Sequence, residues 1–560
     1  MDSTAGARGA LLGVLGFCIG LPLVSAITTG AISIPHNDDW AFFRILFHLT
    51  ETGELQLVGW NEMTFVGQLL WAYPVALLFE SIAAVTSVNA LIAGLGLWLT
   101  YVLGRRFVTN RWALLIAFTV GIYPGFAVNV TTFMTEPTAF AAQLGCLLLG
   151  ISAISSRGRT RRGYLLLSLL VGLYGFSIRE FALAAPIAVM IGVLASEVRE
   201  KRLLSFSVVA GSAGAVAALG LYLWRQSLGG GTSHIFEPNL GQMVLIDLPQ
   251  SYFTVSLALI PAMVFLGARR RWEMDLAKVA VAIVVIAIAL LTVFVSAGDP
   301  TCCYTSNGSV IRGNLLMERG PLGSQVLPGQ RPAMPAPLWL AISLAAVGAG
   351  VLIATRFVNA SRWSSRDVKR ISPELLVLWS FGAISLGSIV FRSSLGGPIF
   401  DRYLTPLILV GAIGLARSGS ESEPRVTRTA GIVVAALGVT YLALISSGHS
   451  FDAARWRAAQ QVVDSGIDAD DVDGGFEWVG YHYEGTANES IPPRAILGVG
   501  PGYLDSFPRT GNCMLVSSSE ALSGRFEAAG SVEYSTFFGL RTESLWIYRF
   551  PDACRAAGVP

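Results

Sequence analysis

The sequence predicts a polytopic α-helical membrane protein with a small α/β domain outside the bilayer, and three observations carry that expectation. Only 14% of the 560 residues are charged and 53% are hydrophobic, whereas an ordinary soluble chain runs near about 25% charged. Mean hydropathy is +0.59. Apolar runs approaching the roughly 20 residues that a bilayer-crossing helix needs recur from 10 to 446, and after 446 charge, Gly and Pro return abruptly. A soluble enzyme of several domains is excluded. The 39 Lys and Arg nearly cancel the 37 Asp and Glu, leaving +2, without the basic footprint that nucleic-acid binding needs, so no nucleic acid is expected among the partners.

Taken in order, the candidate spans cover 10–34, 66–85, 88–103, 112–130, 138–154, 164–176, 181–195, 203–223, 249–266, 276–296, 337–354, 373–391, 403–416 and 429–446. The first lacks a strong basic n-region and a small-residue cleavage site, and reads as a span rather than a signal peptide. Short cytoplasmic loops retain Arg and Lys. Six basic clusters, at 105–111, 157–162, 199–202, 269–271, 356–370 and 417–428, are separated by pairs of crossings and share one side only if 66–85 does not cross. Pro74 and Glu80 within that run agree with an interfacial or re-entrant helix in a long first outer loop. About thirteen transmembrane helices remain, with the N-terminus cytoplasmic and the tail extracytoplasmic. The expected division is a membrane domain over 1–447, with its first outer loop at 35–87, and an outer α/β domain over 448–560. That outer domain opens on a helix at 451–463 and holds strands at 496–499, 514–517 and 544–548.

Cysteine placement agrees with this orientation. Cys18 and Cys146 fall in spans and read as inert small apolar residues, while Cys302, Cys303, Cys513 and Cys554 fall outside, where disulfides persist. Cys513 with Cys554 is the natural pair of the outer domain. Cys302 and Cys303 have no evident partner beyond each other, and no spacing resembles a zinc site.

Chemistry is expected where carboxylates adjoin the outer ends of spans. The first outer loop begins His36-Asn37-Asp38-Asp39-Trp40, and Asn37, Asp38 or Asp39 can cap a helix that carries Trp40, Phe43 and Phe47 on one face and ends at Gly53. Capping alone accounts for such a pattern about as well as a site does. The second outer loop places Glu136 before Pro137, a favourable first-turn arrangement in its own right. Together the two loops put Asp38, Asp39 and Glu136 at one depth on one face, where converging carboxylates supply a general base or ligands for a divalent cation such as Mg or Mn, with Asp38 and Glu136 as the expected ligands. Arg179-Glu180 lies between two short apolar segments, where ionisable groups are costly and mark a site or a mutual ion pair. Asp401-Arg402 stands at another outer boundary, and guanidinium groups suit oxyanions. No Walker loop, dinucleotide fingerprint or HExxH helix is present in the sequence, and no internal repeat suggests duplicated transporter halves.

These motifs resemble a family. Asn37-Asp38-Asp39-Trp40 after the first span, Met134-Thr135-Glu136-Pro137 in the second outer loop, and Phe400-Asp401-Arg402-Tyr403-Leu404-Thr405-Pro406 late in the chain look like the GT-C superfamily of membrane glycosyltransferases. The nearest branch holds protein O-mannosyltransferases, the lipid A aminoarabinose transferase and related bacterial enzymes that depend on polyprenyl-phosphate sugars. The resemblance covers the membrane region and is clearest over the first 200 residues. It implies interfacial helices in the first outer loop, Asp38 as catalytic base, Asp39 as its acidic neighbour, and Glu136 at a position that is often Asp in the family. It also implies a basic residue near the lipid phosphate, a part for Arg179 or Arg402. The activity it implies is inverting transfer of a hexosyl or pentosyl group from a polyprenyl-phosphate-linked donor to a cell-envelope glycan, lipid or protein, at a bacterial plasma (inner) membrane. The alternative reading is a transporter or flippase of lipid-linked saccharides, whose charges would line a path through the bilayer; here they cluster on one face.

Overall fold

The computed structural model describes residues 4–58, 64–200, 205–228, 238–266, 276–298, 327, 336–360, 371–397, 399–418, 427–483, 513–520, 526–551 and 554. Cys302, Cys303 and the strand expected at 496–499 lie outside the described residues.

The chain is mostly helical. Among the described residues seven helices are long and apolar enough to cross a membrane: α1 (Gly6–Thr29), Ile82–Gly104, Glu136–Ser155, Glu180–Arg199, Phe206–Ser227, Pro373–Ser394 and Arg428–Asp464. Shorter apolar helices cover Val66–Phe79, Leu276–Thr292 and Leu340–Arg356. Large apolar side chains such as Val209, Val216, Leu290 and Leu344 stand exposed, an arrangement that water does not favour and lipid does.

Sequence chemistry sets the breaks. Gly30 (φ 85°) ends α1 in the left-handed region, where a glycine carries no Cβ penalty. Helix α2 (Asp39–Thr52) stops the same way at Gly53, and α3 (Val66–Phe79) stops at Glu80, itself left-handed at φ 46°. Ser81 then caps α4 (Ile82–Gly104) by accepting the Ala84 N–H at 3.4 Å. The apolar run at 66–85 is therefore two elements rather than one: its last residues belong to α4, because an N-cap serine interrupts the run. At 14 residues, about 21 Å long, α3 is shorter than a bilayer crossing requires.

Further along the chain come α5 (Asn110–Gly121), α6 (Glu136–Ser155), α7 (Gly158–Ile178) and α8 (Ala184–Arg199). Helix α6 is the central one: it is buried along most of its length and packs against α4, α7 and α8. Its first turn carries Glu136 and Pro137, so the most enclosed helix begins at a candidate site residue. The remaining helices are α9 (Ser205–Ser227), α10 (Leu248–Ala258), α11 (Leu276–Gly298), α12 (Ala336–Ala360), α13 (Pro373–Ser394), α14 (Thr405–Ser418), α15 (Arg428–Asp464) and α16 (Phe476–His482).

Helix α15 runs unbroken for 37 residues. The expected span and the expected outer helix at 451–463 are one element, since no proline falls at 447–450 to divide them. Its outer part packs on a four-stranded sheet of order β1-β2-β4-β3, made of β1 (Val472–Asp473), β2 (Met514–Ser517), β3 (Glu527–Thr536) and β4 (Arg541–Arg549). β1 and β2 are parallel and the other pairs antiparallel. Phe451, Ala454, Ala458, Trp478, Val516 and Leu545 form the core between helix and sheet. Cys513 and Cys554 are bridged with Cα atoms 4.4 Å apart. Sequence patterning located β2 and β4 but not β3, whose first half is exposed and rich in Ala, Gly and Glu, poor strand formers.

Candidate functional site

The site is built where three loops meet the start of α6. The turn at 401–404 (Asp401–Leu404) can approach because Gly125 has no side chain: a Cβ there would lie 2.7 Å from the Asp401 carbonyl carbon and 2.8 Å from the Arg402 nitrogen. The Tyr123 hydroxyl fixes the turn by donating to the Asp401 carbonyl at 2.6 Å, and the Arg402 N–H donates to Asp401 Oδ1 at 2.8 Å.

Arg402 joins the two outer loops. Its Nε lies 2.8 Å from Glu136 Oε1 and its Nη2 3.1 Å from Asp38 Oδ2. Arg179 reaches the same Glu136 oxygen at 3.2 Å and donates to Thr135 Oγ1 at 2.6 Å and to the Tyr403 hydroxyl at 3.2 Å. Four residues expected from sequence, Asp38, Glu136, Arg179 and Arg402, are thus brought together. Burial works against the Arg402 charge, but Glu136, Tyr403 and Asp38 hold its affinity for the proton above the ordinary arginine value. Glu136, Arg179 and Arg402 are all buried, whereas the Asp38 side chain keeps 22% of its exposure. Asp38 occupies the N-cap position of α2 without a side-chain capping bond, which leaves its carboxylate to the site.

Tyr403 is the hub that the sequence did not single out. The guanidinium groups of Arg179, Arg402 and Arg392 stand 5.3, 5.5 and 5.6 Å from its ring centre, within cation–π range. Arg392 comes from the last turn of α13 and is half-buried. Arg179 also stacks on Phe181 and Arg402 on Phe400. Three guanidinium groups thus converge on one ring beside an accessible carboxylate, and guanidinium groups suit oxyanions.

Asp39 is not part of this opening. It is fully buried; Oδ1 accepts the His36 N–H at 2.5 Å and Oδ2 the Phe133 N–H at 2.8 Å, so it ties the first outer loop to the second. Burial pushes its carboxyl up to about 7, against the pull of His36 and the two N–H donors. Asp401 likewise turns inward: burial raises it to about 6, and it lines a small cavity with Asp247, Gln250, Thr254, Ile399 and Leu404.

A second charged cluster holds the Asp38 loop from the outer side. His36 Nδ1 is 3.1 Å from Asp452 Oδ2 and Nε2 is 2.7 Å from the Ala31 carbonyl. Both ring nitrogens face acceptors, so both donate and the imidazole is cationic; burial opposes the charge, but Asp452 and Asp39 bring it up to about 9. Arg455 bridges Asp452 at 3.4 Å and Glu477 at 2.5 Å. Glu477 in turn accepts the Asn37 N–H at 2.9 Å, and Asn37 is left-handed at φ 53°. Asn37, immediately before Asp38, is thus gripped by Glu477 of α16. Gly480 lets α16 close on this loop, since a Cβ there would lie 2.5 Å from the Trp40 ring. His449 is structural, placed between Thr131 Oγ1 at 2.8 Å and Ser25 Oγ at 3.0 Å.

A divalent ion at Asp38 and Glu136 does not fit this arrangement, because the Arg402 guanidinium already lies between the two carboxylates at 3.1 and 2.8 Å. Among the described residues no group of three or more His, Cys, Asp or Glu could hold a metal.

No family model and no curated protein matches this sequence. Among solved structures, ArnT from Cupriavidus metallidurans in the apo state shares 11% identity at a TM-score of 0.39, over 97% of this chain and 98% of that chain. ArnT from the same organism bound to undecaprenyl phosphate shares 13% identity at a TM-score of 0.40, over 96% and 98%.

Proposed function

We propose that this chain is an integral membrane glycosyltransferase of the GT-C type, moving a sugar from a polyprenyl-phosphate-linked donor to an acceptor outside the cytoplasm with inversion at the anomeric carbon. The observation that carries the reading is the pairing of one accessible carboxylate, Asp38, with three guanidinium groups gathered on Tyr403. Asp38 takes the proton of the acceptor hydroxyl as its oxygen attacks the anomeric carbon. The bond from that carbon to the phosphate oxygen breaks, and the polyprenyl phosphate leaves with the electron pair. Arg179, Arg392 and Arg402 meet the charge that develops on the departing phosphate. Glu136 aims Arg179 and Arg402, and Asp39 sets the distance between the two outer loops. The depth of the cluster, at the outer ends of apolar helices, suits a donor whose head group lies at the interface while its lipid stays in the bilayer. Thirteen crossings, the cytoplasmic N-terminus, the bacterial inner-membrane setting and the domain limits 1–447 and 448–560 belong to the same proposal.

The test is reconstitution in vesicles with a radiolabelled polyprenyl-phosphate sugar and envelope fractions from a deletion strain as acceptor. Label passes to the acceptor, with EDTA present or absent, and Asp38→Asn lowers transfer by at least about 100-fold at unchanged thermal stability. A fully active D38N protein, or donor that crosses the bilayer uncleaved, overturns the proposal.

A further inference from the structure

The tip of the β3–β4 hairpin is built in a way that the fold does not explain. The strands pair up to Thr536 and Arg541, and the connection is Phe537-Phe538-Gly539-Leu540. Phe537, Phe538 and Gly539 all take positive φ, at 50°, 59° and 86°. Such positions in hairpins are ordinarily filled by Gly, Asn or Asp, and bulky side chains there are strained. Two aromatic residues sit at these costly positions, and the tip stays open: Phe537 is 39% exposed, Phe538 59% and Leu540 88%. The neighbouring Arg541 is 54% exposed in its side chain, reaching Glu543 at 3.0 Å.

The height of this tip is fixed. The Phe537 N–H donates to Ser447 Oγ on α15 at 2.9 Å, and two residues on, His449 contacts Ser25 Oγ at 3.0 Å. Ser25 lies a full turn before the end of α1, whose Leu21, Val24 and Ile27 are exposed apolar residues. The tip therefore hangs level with the last turns of α1, beside side chains that are apolar and exposed.

We infer that the Phe537–Leu540 tip is a membrane anchor of the outer domain, inserting Phe538 and Leu540 among the lipids of the adjacent leaflet while Arg541 reaches the headgroup phosphates. Aromatic and aliphatic side chains next to a long basic one are the chemistry of the bilayer interface. Strain at the turn is tolerated because the exposed rings are covered by lipid. The anchor seats the sheet on the membrane and, through α15, sets how the Asp38 loop is presented. It depends on the chain spanning a bilayer and stands whether or not the chain transfers sugar.

The test uses the full chain with Cys18, Cys146, Cys302 and Cys303 replaced by Ser and the Cys513–Cys554 bridge kept. Single cysteines carrying a nitroxide are placed by Leu540→Cys, Phe538→Cys and, as a control, Glu527→Cys, which lies at the far end of the hairpin roughly 30 Å away. In phosphatidylethanolamine and phosphatidylglycerol vesicles, collisions with oxygen exceed those with a water-soluble nickel chelate at 540 and 538, and the order reverses at 527. The 540 label replaces a side chain with little packing to lose, so it reports even where the 538 variant folds poorly. Nickel collisions at 540 equal to those at 527 overturn the inference.

Discussion

Two buried clusters of charge share the loop at 36–39 and differ in what they leave open. On the membrane side, Arg402 and Arg179 are held by Glu136 and Asp38, and Asp38 keeps 22% of its side-chain exposure. On the outer side, Arg455 is 0% exposed and Glu477 1%, each charge answered by another and sealed from water. The sealed cluster holds a backbone conformation; the open one has an accessible carboxylate and a half-buried guanidinium at Arg392 with which to meet a ligand. Removing a partner therefore has different consequences on the two sides. On the open side Arg402 keeps Asp38, and Arg179 keeps Thr135 and Tyr403, when Glu136 is changed, whereas a charge left short of partners in a closed interior costs several kcal/mol.

The largest expected effect that separates the clusters is on turnover. Glu136→Gln keeps the shape of the side chain but releases Arg179 and Arg402 from their fixed aim, and transfer falls by about 100-fold or more, the range for loss of preorganised charge. Its unfolding temperature drops less than that of Glu477→Gln. Single-turnover kinetics beside thermal unfolding of both variants reads this directly, and equal stability losses would erase the distinction drawn here. Next in size is Glu477→Gln itself, which leaves buried Arg455 with Asp452 as its remaining carboxylate and destabilises the chain by about 3–5 kcal/mol. With Asn37 released, transfer slows even at temperatures where the protein stays folded.

The smallest effect is on pH dependence. His36 is raised from 6.5 to about 9, so its contribution is fully present below pH 6.5 and is lost as pH rises through 9. That contribution reaches about 3 kcal/mol at most. Unfolding temperature measured across that window declines in the wild type and is flatter in His36→Gln. A wild-type profile that rises with pH there would contradict the cationic assignment.

The sequence pattern made the long apolar helices readable because apolar runs are local signals. It also placed Asp38, Glu136, Arg179 and Arg402 at one face, since each adjoins the end of an apolar run. What it could not separate was Asp38 from Asp39. Consecutive positions at a helix start point about 100° apart, so one carboxylate faces the opening and the other the interior, and nothing local says which. Arg392 and Tyr403 escaped notice because their importance is a convergence, three cations on one ring from three elements. The outer clasp was further from reach: Glu477 meets Asn37 across 440 positions, and its residues look like ordinary surface charges along the chain. The split of the run at 66–85 rested on Ser81 alone, a capping residue inside a stretch whose hydropathy suggested continuity.

Helix α15, 37 residues without a break, is about 55 Å long, more than a bilayer core requires. Its first half carries the apolar window and its second half packs on the sheet, with Asp452 between them gripping His36. No hinge separates these parts. The sheet and the apolar part of the molecule therefore share one continuous helix, and the loop bearing Asp38 is fastened to that same helix through His36 and Asp452.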